Sequence, residues 1–210
     1  MIKLVIFDLD GTLVDAYEAI IRSVNFTLQK TGYPKASAMR IRKAVGWGDK
    51  RLLAAFIKEG QIVQALAIYR KHHRKSLKQY SKLLPYSKNA LEYLSGKKIK
   101  IAIASNRPTE FTHIILKYLK LKKYFDYVLC ADKLPKGKPH PEILIRILKK
   151  LKVKPGEAIF VGDMAVDVET AHNARLKAIA VTTGSSSRLE IKKARPWGML
   201  KSLASLKKYL

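Results

Sequence analysis

Asp8-Leu9-Asp10-Gly11-Thr12 directly follows the apolar run Leu4-Val5-Ile6-Phe7. Side chains alternate along a strand, so two acids one residue apart at its end point the same way while Leu9 points opposite. One carboxylate can attack phosphorus as a nucleophile, and its neighbour can protonate a leaving oxygen and later activate water. Gly11-Thr12 adds turn chemistry directly after the acids, and this makes a simple helix cap the weaker reading.

Three further segments supply groups that phosphoryl transfer needs. Ser105-Asn106 follows Ile99-Lys100-Ile101-Ala102-Ile103-Ala104; its hydroxyl and loop amides can grip a phosphate oxygen, and a turn capping the next helix is the competing reading. Lys138 stands in Lys136-Gly137-Lys138-Pro139-His140-Pro141. Two prolines stiffen that segment, so its ammonium can neutralise an aspartate nucleophile and a transferring phosphoryl group; Lys136 is the rival for the role. Gly162-Asp163-Met164-Ala165-Val166-Asp167 follows Ala158-Ile159-Phe160-Val161. If the two strands are neighbours, these acids join Asp8 and Asp10 in a hard oxygen cage suited to Mg²⁺.

The elements that must position these groups follow from periodicity. Leu4 to Phe7 reads as a central strand of a parallel sheet, both faces covered, with ligands expected at its carboxyl edge. Residues 16–31, 37–45, 49–59 and 61–80 carry helical spacing and none reads as a strand. From Pro85 helices at 87–95, 109–119, 141–151 and 166–174 alternate with strands at 99–104, 127–131, 158–161 and 178–181. The expected fold is α/β, a doubly wound parallel sheet built from 1–14 and 85–210, interrupted by a helical insertion at 15–84. Ser185-Ser186-Ser187 reads as a loop.

The 42 Lys and Arg residues against 16 Asp and Glu give a formal charge of +26. Such a balance suits nucleic acid, acidic membranes or small anionic substrates. The cations are spread over nearly every helix, and in Ile143 to Leu151 they fall between apolar positions as on a solvated face. Nucleic acid is therefore expected only as a nonspecific electrostatic partner. No apolar run approaches the roughly 18 residues of a membrane span, and the signal-peptide order is missing, so a cytoplasmic protein is expected. Cys130 is the single cysteine and is expected as a small core residue. His72-His73 point about 100° apart on a helix, do not converge on one ion and are expected at the surface; His140, near Lys138, is expected to be structural.

In this order and spacing, the four segments resemble the haloacid-dehalogenase-like hydrolase superfamily, in its branch with an inserted helical cap, over essentially the whole chain. The resemblance implies a Rossmann-like core in which Asp8 forms an aspartyl-phosphate and Asp10 is general acid and base. It implies that Ser105, helped by the Asn106 amide, binds the phosphoryl group and that Lys138 stabilises charge. Asp163 would ligate Mg²⁺ with Asp8 and the Asp10 backbone carbonyl, while Asp167 would support the ion through water or position Lys138. Dehalogenases of this superfamily lack the acid at position 10, so phosphatase or phosphomutase chemistry is implied. Val45-Gly46-Trp47-Gly48-Asp49-Lys50-Arg51-Leu52-Leu53 resembles the cap loop of phosphoglycolate phosphatases, where Trp47 would close over substrate and Lys50 or Arg51 would meet a second anionic group. Asn173-Ala174-Arg175-Leu176 and Met164 depart from the usual pattern, but neither position supplies a ligand. The expectation is Mg²⁺-dependent hydrolysis of a small phosphorylated metabolite, phosphoglycolate-like or a sugar phosphate, by a monomer or homodimer. A phosphomutase, a nucleic-acid or nucleotide phosphatase using the basic surface, and a binding protein on a degenerate enzyme fold are the alternatives.

Overall fold

The alternating apolar runs assemble into six parallel strands in the computed structural model, which describes residues 1–210. In chain order the first half holds β1 (Leu4–Phe7), β2 (Val14–Asp15), α1 (Tyr17–Lys30), α2 (Ala38–Ala44), α3 (Asp49–Ala54), α4 (Ile62–Tyr80) and β3 (Lys82–Leu83). The second half holds α5 (Ser87–Gly96), β4 (Lys100–Ser105), α6 (Thr109–Tyr118), β5 (Tyr127–Cys130), α7 (Glu142–Leu151), β6 (Ala158–Gly162), α8 (Ala165–Asn173), β7 (Lys177–Val181), α9 (Arg188–Lys193) and β8 (Gly198–Leu200). The sheet runs β5-β4-β1-β6-β7-β8, so β1 is central and the winding direction reverses beside it. Val14 and Asp15 pair antiparallel with Leu83 and Lys82, which ties together the two chain passages flanking the helices α1 to α4.

The strands carry different side chains on their two faces. Val5, Phe7, Ile101, Ile103, Ile159, Val161, Ile179 and Val181 share one apolar cluster with buried residues of α1, α4 and α6. The opposite face is lined by Ala102, Ala104, Ala158, Ala178 and Ala180, small enough for α7 and α8 to approach closely, with Phe160 filling the space that remains. α7 buries Ile143, Leu144, Ile147 and Leu148 and leaves Arg146, Lys149 and Lys150 in solvent, as its periodicity requires. Cys130 is buried. No helix is long and apolar enough to cross a membrane.

Three local features differ from the sequence reading. α3 stops at Ala54, not 59; the chain turns there so that Ile57 is buried and the Lys58 amide donates to the Tyr33 hydroxyl at 3.2 Å. β8 adds a sixth strand, with Thr182 N–H donating to the Leu200 carbonyl at 2.9 Å. α9 begins in the serine loop, where Ser187 and Glu190 form a reciprocal capping box.

Phe160 is the large side chain of the alanine-rich face, and its ring lies 5.5 Å beneath the Lys138 ammonium. Phe160→Ala is expected to cost about 3–5 kcal/mol, read from the urea unfolding midpoint; a loss under about 1 kcal/mol would show that this face repacks.

Candidate active site

Asp8 is the first residue past β1, at the carboxyl edge where the winding reverses and ligands bind in open α/β sheets. β4 and β6 pair with β1 on either side, which brings Ser105 and the Gly162-Asp163 turn beside it. Lys138 reaches in from the loop before α7, is 4% exposed, and donates to Asp8 Oδ1 at 2.8 Å and to Asp167 Oδ1 at 2.6 Å. Asp167 lies in the first turn of α8, and its Oδ2 accepts the amides of Asp163 at 3.2 Å and Met164 at 3.0 Å. A helix N-terminus thus holds the carboxylate that holds the lysine. Burial opposes the Lys138 charge, but Asp167 and Asp8 outweigh it and raise its pKa.

Carboxylate oxygens of Asp8, Asp163 and Asp167 all lie within 4.8 Å of one another, and the three residues are buried. Asp163 accepts from the Thr12 hydroxyl at 2.9 Å and from the Ser185 amide at 3.2 Å. Backbone is moulded around it: a Cβ at Gly184 would stand 1.5 Å from Asp163 Oδ2, and one at Gly11, where φ is +78°, would stand 2.5 Å away. Burial pushes the Asp163 carboxyl well above its ordinary range, with Asp167 and Asp8 adding to the effect. Burial likewise raises Asp8 from 3.8 to about 6, against the pull of Lys138. Three buried carboxylates face one ammonium, and this all-oxygen, charge-deficient set fits a hard divalent cation.

Asp10 lines the same cavity as Asp8, as strand alternation requires. Its side chain is not part of the acidic cluster, because both oxygens accept from Arg107: Nε at 2.7 Å and Nη2 at 2.8 Å. Arg107 is buried, and burial works against its charge until Asp10 compensates. The sequence reading missed it. A weak signal existed, since Arg107 is the second residue after the end of β4 at the ligand edge, but one arginine among 42 basic residues carries little information.

His73 corrects the expectation that the histidine pair lies on the surface. It is 0% exposed, and its Nε2 sits 2.9 Å from Arg107 Nη1 while its Nδ1 sits 3.0 Å from the Ser23 hydroxyl of α1. Ala65, Tyr69, Ser76 and Leu77 are buried on the same stripe of α4, and counting from them at helical spacing reaches His73. Only His72 is partly exposed.

Ser105 is buried at the cavity wall, its Oγ accepting the Arg107 amide at 3.2 Å. The Asn106 side chain is a latch: Nδ2 donates to the carbonyls of Gly46 at 2.9 Å and Lys138 at 3.2 Å, and Oδ1 accepts the Lys138 amide at 2.8 Å. The loop of Gly46 and Gly48 therefore closes on the sheet edge, and the cavity left between them measures about 50 Å³. The cap cations expected to enter it do not. α3 turns Asp49 and Leu52 toward the cavity, which leaves Lys50 outside it; Arg51 and Trp47, the latter 37% exposed, instead flank an adjoining outer groove that shares Asn106 and Lys138 with the cavity and is bordered by the exposed Lys136 and His140.

A family model described as haloacid dehalogenase-like hydrolase matches residues 5–181. The chain belongs to this family. Phosphoglycolate phosphatase 1 of Pseudomonas aeruginosa is 30% identical over 97% of this chain and 78% of its own length. A phosphoglycolate phosphatase of Aquifex aeolicus is 31% identical over 87% of this chain and 85% of its own length. A crystal structure described as a predicted phosphoglycolate phosphatase from Haemophilus somnus has a TM-score of 0.94 at 27% identity, covering 99% of this chain and 97% of that one. Within the haloacid dehalogenase-like hydrolases this chain is a phosphoric monoester hydrolase with a helical cap.

Gly184→Ala must displace the Asp163 carboxylate, and about 10- to 100-fold weaker Mg²⁺ binding is expected by calorimetry, with an unchanged constant counting against the cradle. The raised Asp8 pKa gives a second test. Without metal, folded Asp8 keeps a proton between pH 3.8 and about 6 that the unfolded chain has lost, so its contribution to stability disappears as pH rises through that window. Asp8→Asn escapes this loss. Relative to the parent, its metal-free unfolding free energy is expected to rise on the order of 2–3 kcal/mol between about pH 4 and pH 7, whereas a constant difference would contradict the assignment.

Proposed function

We propose that this chain hydrolyses a small phosphomonoester with Mg²⁺ through an aspartyl-phosphate on Asp8. The observation that carries this reading is the single cavity edge shared by Asp8, Asp10, Ser105 and Lys138, with Asp163 behind it. The relatives named phosphoglycolate phosphatase support a compact, acid-bearing substrate such as phosphoglycolate. The small cavity over these residues fits a compact substrate.

An Asp8 oxygen attacks phosphorus, a bond forms between them, and the bond from phosphorus to the leaving oxygen breaks. Asp10 delivers a proton to that oxygen and the alcohol departs. Water then attacks the phosphorus of the aspartyl-phosphate, Asp10 takes the water's proton, and inorganic phosphate leaves with Asp8 restored. Lys138, fixed by Asp167, keeps a positive charge beside the nucleophile throughout, and Ser105 with loop amides orients the phosphoryl oxygens. Asp8, Asp163 and the Asp10 backbone carbonyl would hold Mg²⁺, with Asp167 behind them; when bound, the ion supplies neutralisation of phosphoryl charge. The closed Gly46–Gly48 loop excludes bulk water from the intermediate.

Asp8→Asn removes the nucleophile while preserving shape, so turnover of p-nitrophenyl phosphate and of 2-phosphoglycolate with Mg²⁺ is expected to fall by at least about 10³-fold with the fold intact by circular dichroism. Retained turnover would overturn the reading. Chelation is expected to abolish parent activity and added Mg²⁺ to restore it; activity surviving chelation would remove the metal from the mechanism.

A further inference from the structure

Two cations line the cavity, Lys138 and Arg107. Lys138 is committed to Asp8 and Asp167. Arg107 presents a planar fork whose partner is the carboxylate of Asp10. Such a fork matches any carboxylate, one carried by a bound molecule included. The remaining acid at the cavity wall, Asp49, is already neutralised by Arg70 Nε at 2.7 Å, so it sets no barrier against an incoming anion.

The guanidinium is also fixed from the helical side. His73 Nε2 accepts Nη1–H, which leaves the His73 proton on Nδ1 facing the Ser23 hydroxyl, and that hydroxyl donates to the Ala19 carbonyl at 2.8 Å. The His73 ring is stacked on Tyr69 at 4.7 Å and meets the edge of Phe111 at 5.0 Å. Arg107 is therefore held by contacts that do not depend on Asp10.

We propose that Arg107 recognises a carboxylate carried by the substrate close to its phosphate, accepting it in exchange for the carboxylate of Asp10. The inference rests on the phosphatase reading above and adds the residue that selects the substrate class. In the exchange hydrogen bonds change partners and Asp10, leaving the guanidinium, takes up from solvent water the proton it later delivers. Asp10, released from the fork, is free to face the leaving oxygen, whereas a substrate without the second anion leaves Asp10 clamped. Recognition at Arg107 thus raises turnover as well as binding.

The test compares kcat and KM with Mg²⁺ for 2-phosphoglycolate and for its neutral amide, 2-phosphoglycolamide. The parent is expected to favour the carboxylate by about 10- to 100-fold in kcat/KM, the worth of a hydrogen bond to a charged group, with part of the difference in kcat. Arg107→Met is expected to bring that ratio to within about threefold of unity, and Arg107→Lys, which keeps the charge without the fork, to recover part of it. Equal loss on both substrates in Arg107→Met would show that Arg107 only positions Asp10 and would overturn the proposal. Should Arg107→Met fail to fold, the parent ratio still decides: turnover of both compounds at equal kcat/KM overturns this inference and leaves the phosphatase reading standing. Turnover of neither overturns this inference, and absence of p-nitrophenyl phosphate turnover as well overturns both.

Discussion

An excess of buried negative charge at one sheet edge is the constraint around which this molecule is organised. Asp8, Asp163 and Asp167 bring three carboxylates within 4.8 Å of one another, and Lys138 is the one ammonium among them. Moving charges out of water is costly unless they are paired and hydrogen-bonded, so the surrounding chain supplies donors. Thr12 and the Ser185 amide serve Asp163, the first turn of α8 serves Asp167, and glycine at 11 and 184 lets backbone approach where a side chain would collide. What remains uncompensated is a net negative charge of the kind a hard divalent cation would offset.

The helical layer completes the site and adds to its wall one acid, Asp49, paired with Arg70. Asn106 joins the Gly46 carbonyl to the Lys138 segment, and Arg74 of α4 forms an ion pair with Glu110 of α6. A continuous path of hydrogen bonds crosses the same boundary from Ser23 through His73 and Arg107 to Asp10. Residues of α1 and α4 therefore set the orientation of a guanidinium that belongs to the sheet edge, and seating of the helices is linked to the disposition of Asp10.

The strands were legible because each central one is an unbroken apolar run, and the acids were legible because each follows such a run at the ligand edge. β8 was not: Gly198-Met199-Leu200 is three residues long and forms by pairing with β7, a tertiary event without a local pattern. Ser187-Arg188-Leu189-Glu190 did carry a capping signature that its serine-rich appearance masked. His73 was misplaced because it was considered with its neighbour His72 and not with Tyr69 and Leu77, four residues away on either side along the helix. Lys50 and Arg51 were expected over the substrate from the resemblance of Val45 to Leu53 to a cap loop, yet one residue of helix rotates a side chain by about 100°, and Asp49 and Leu52 take the inward positions. Charge type is written in the sequence; the direction in which a short helix points it is not.

This bears on the formal charge of +26, the most conspicuous number in the composition. The cations stand on solvated helix faces, where salt screens them over a Debye length of about 8 Å at physiological ionic strength. Their summed potential draws phosphates of every kind toward the protein and can speed encounter, but it cannot tell one phosphomonoester from another. Discrimination requires a cation that is buried, geometrically fixed and removed from that screening. Lys138 is paired with both Asp8 and Asp167, whereas the fork of Arg107 is paired with Asp10 alone. On the proposed role of Arg107, the abundant surface charge and the single buried guanidinium act on different steps, the first on arrival and the second on selection.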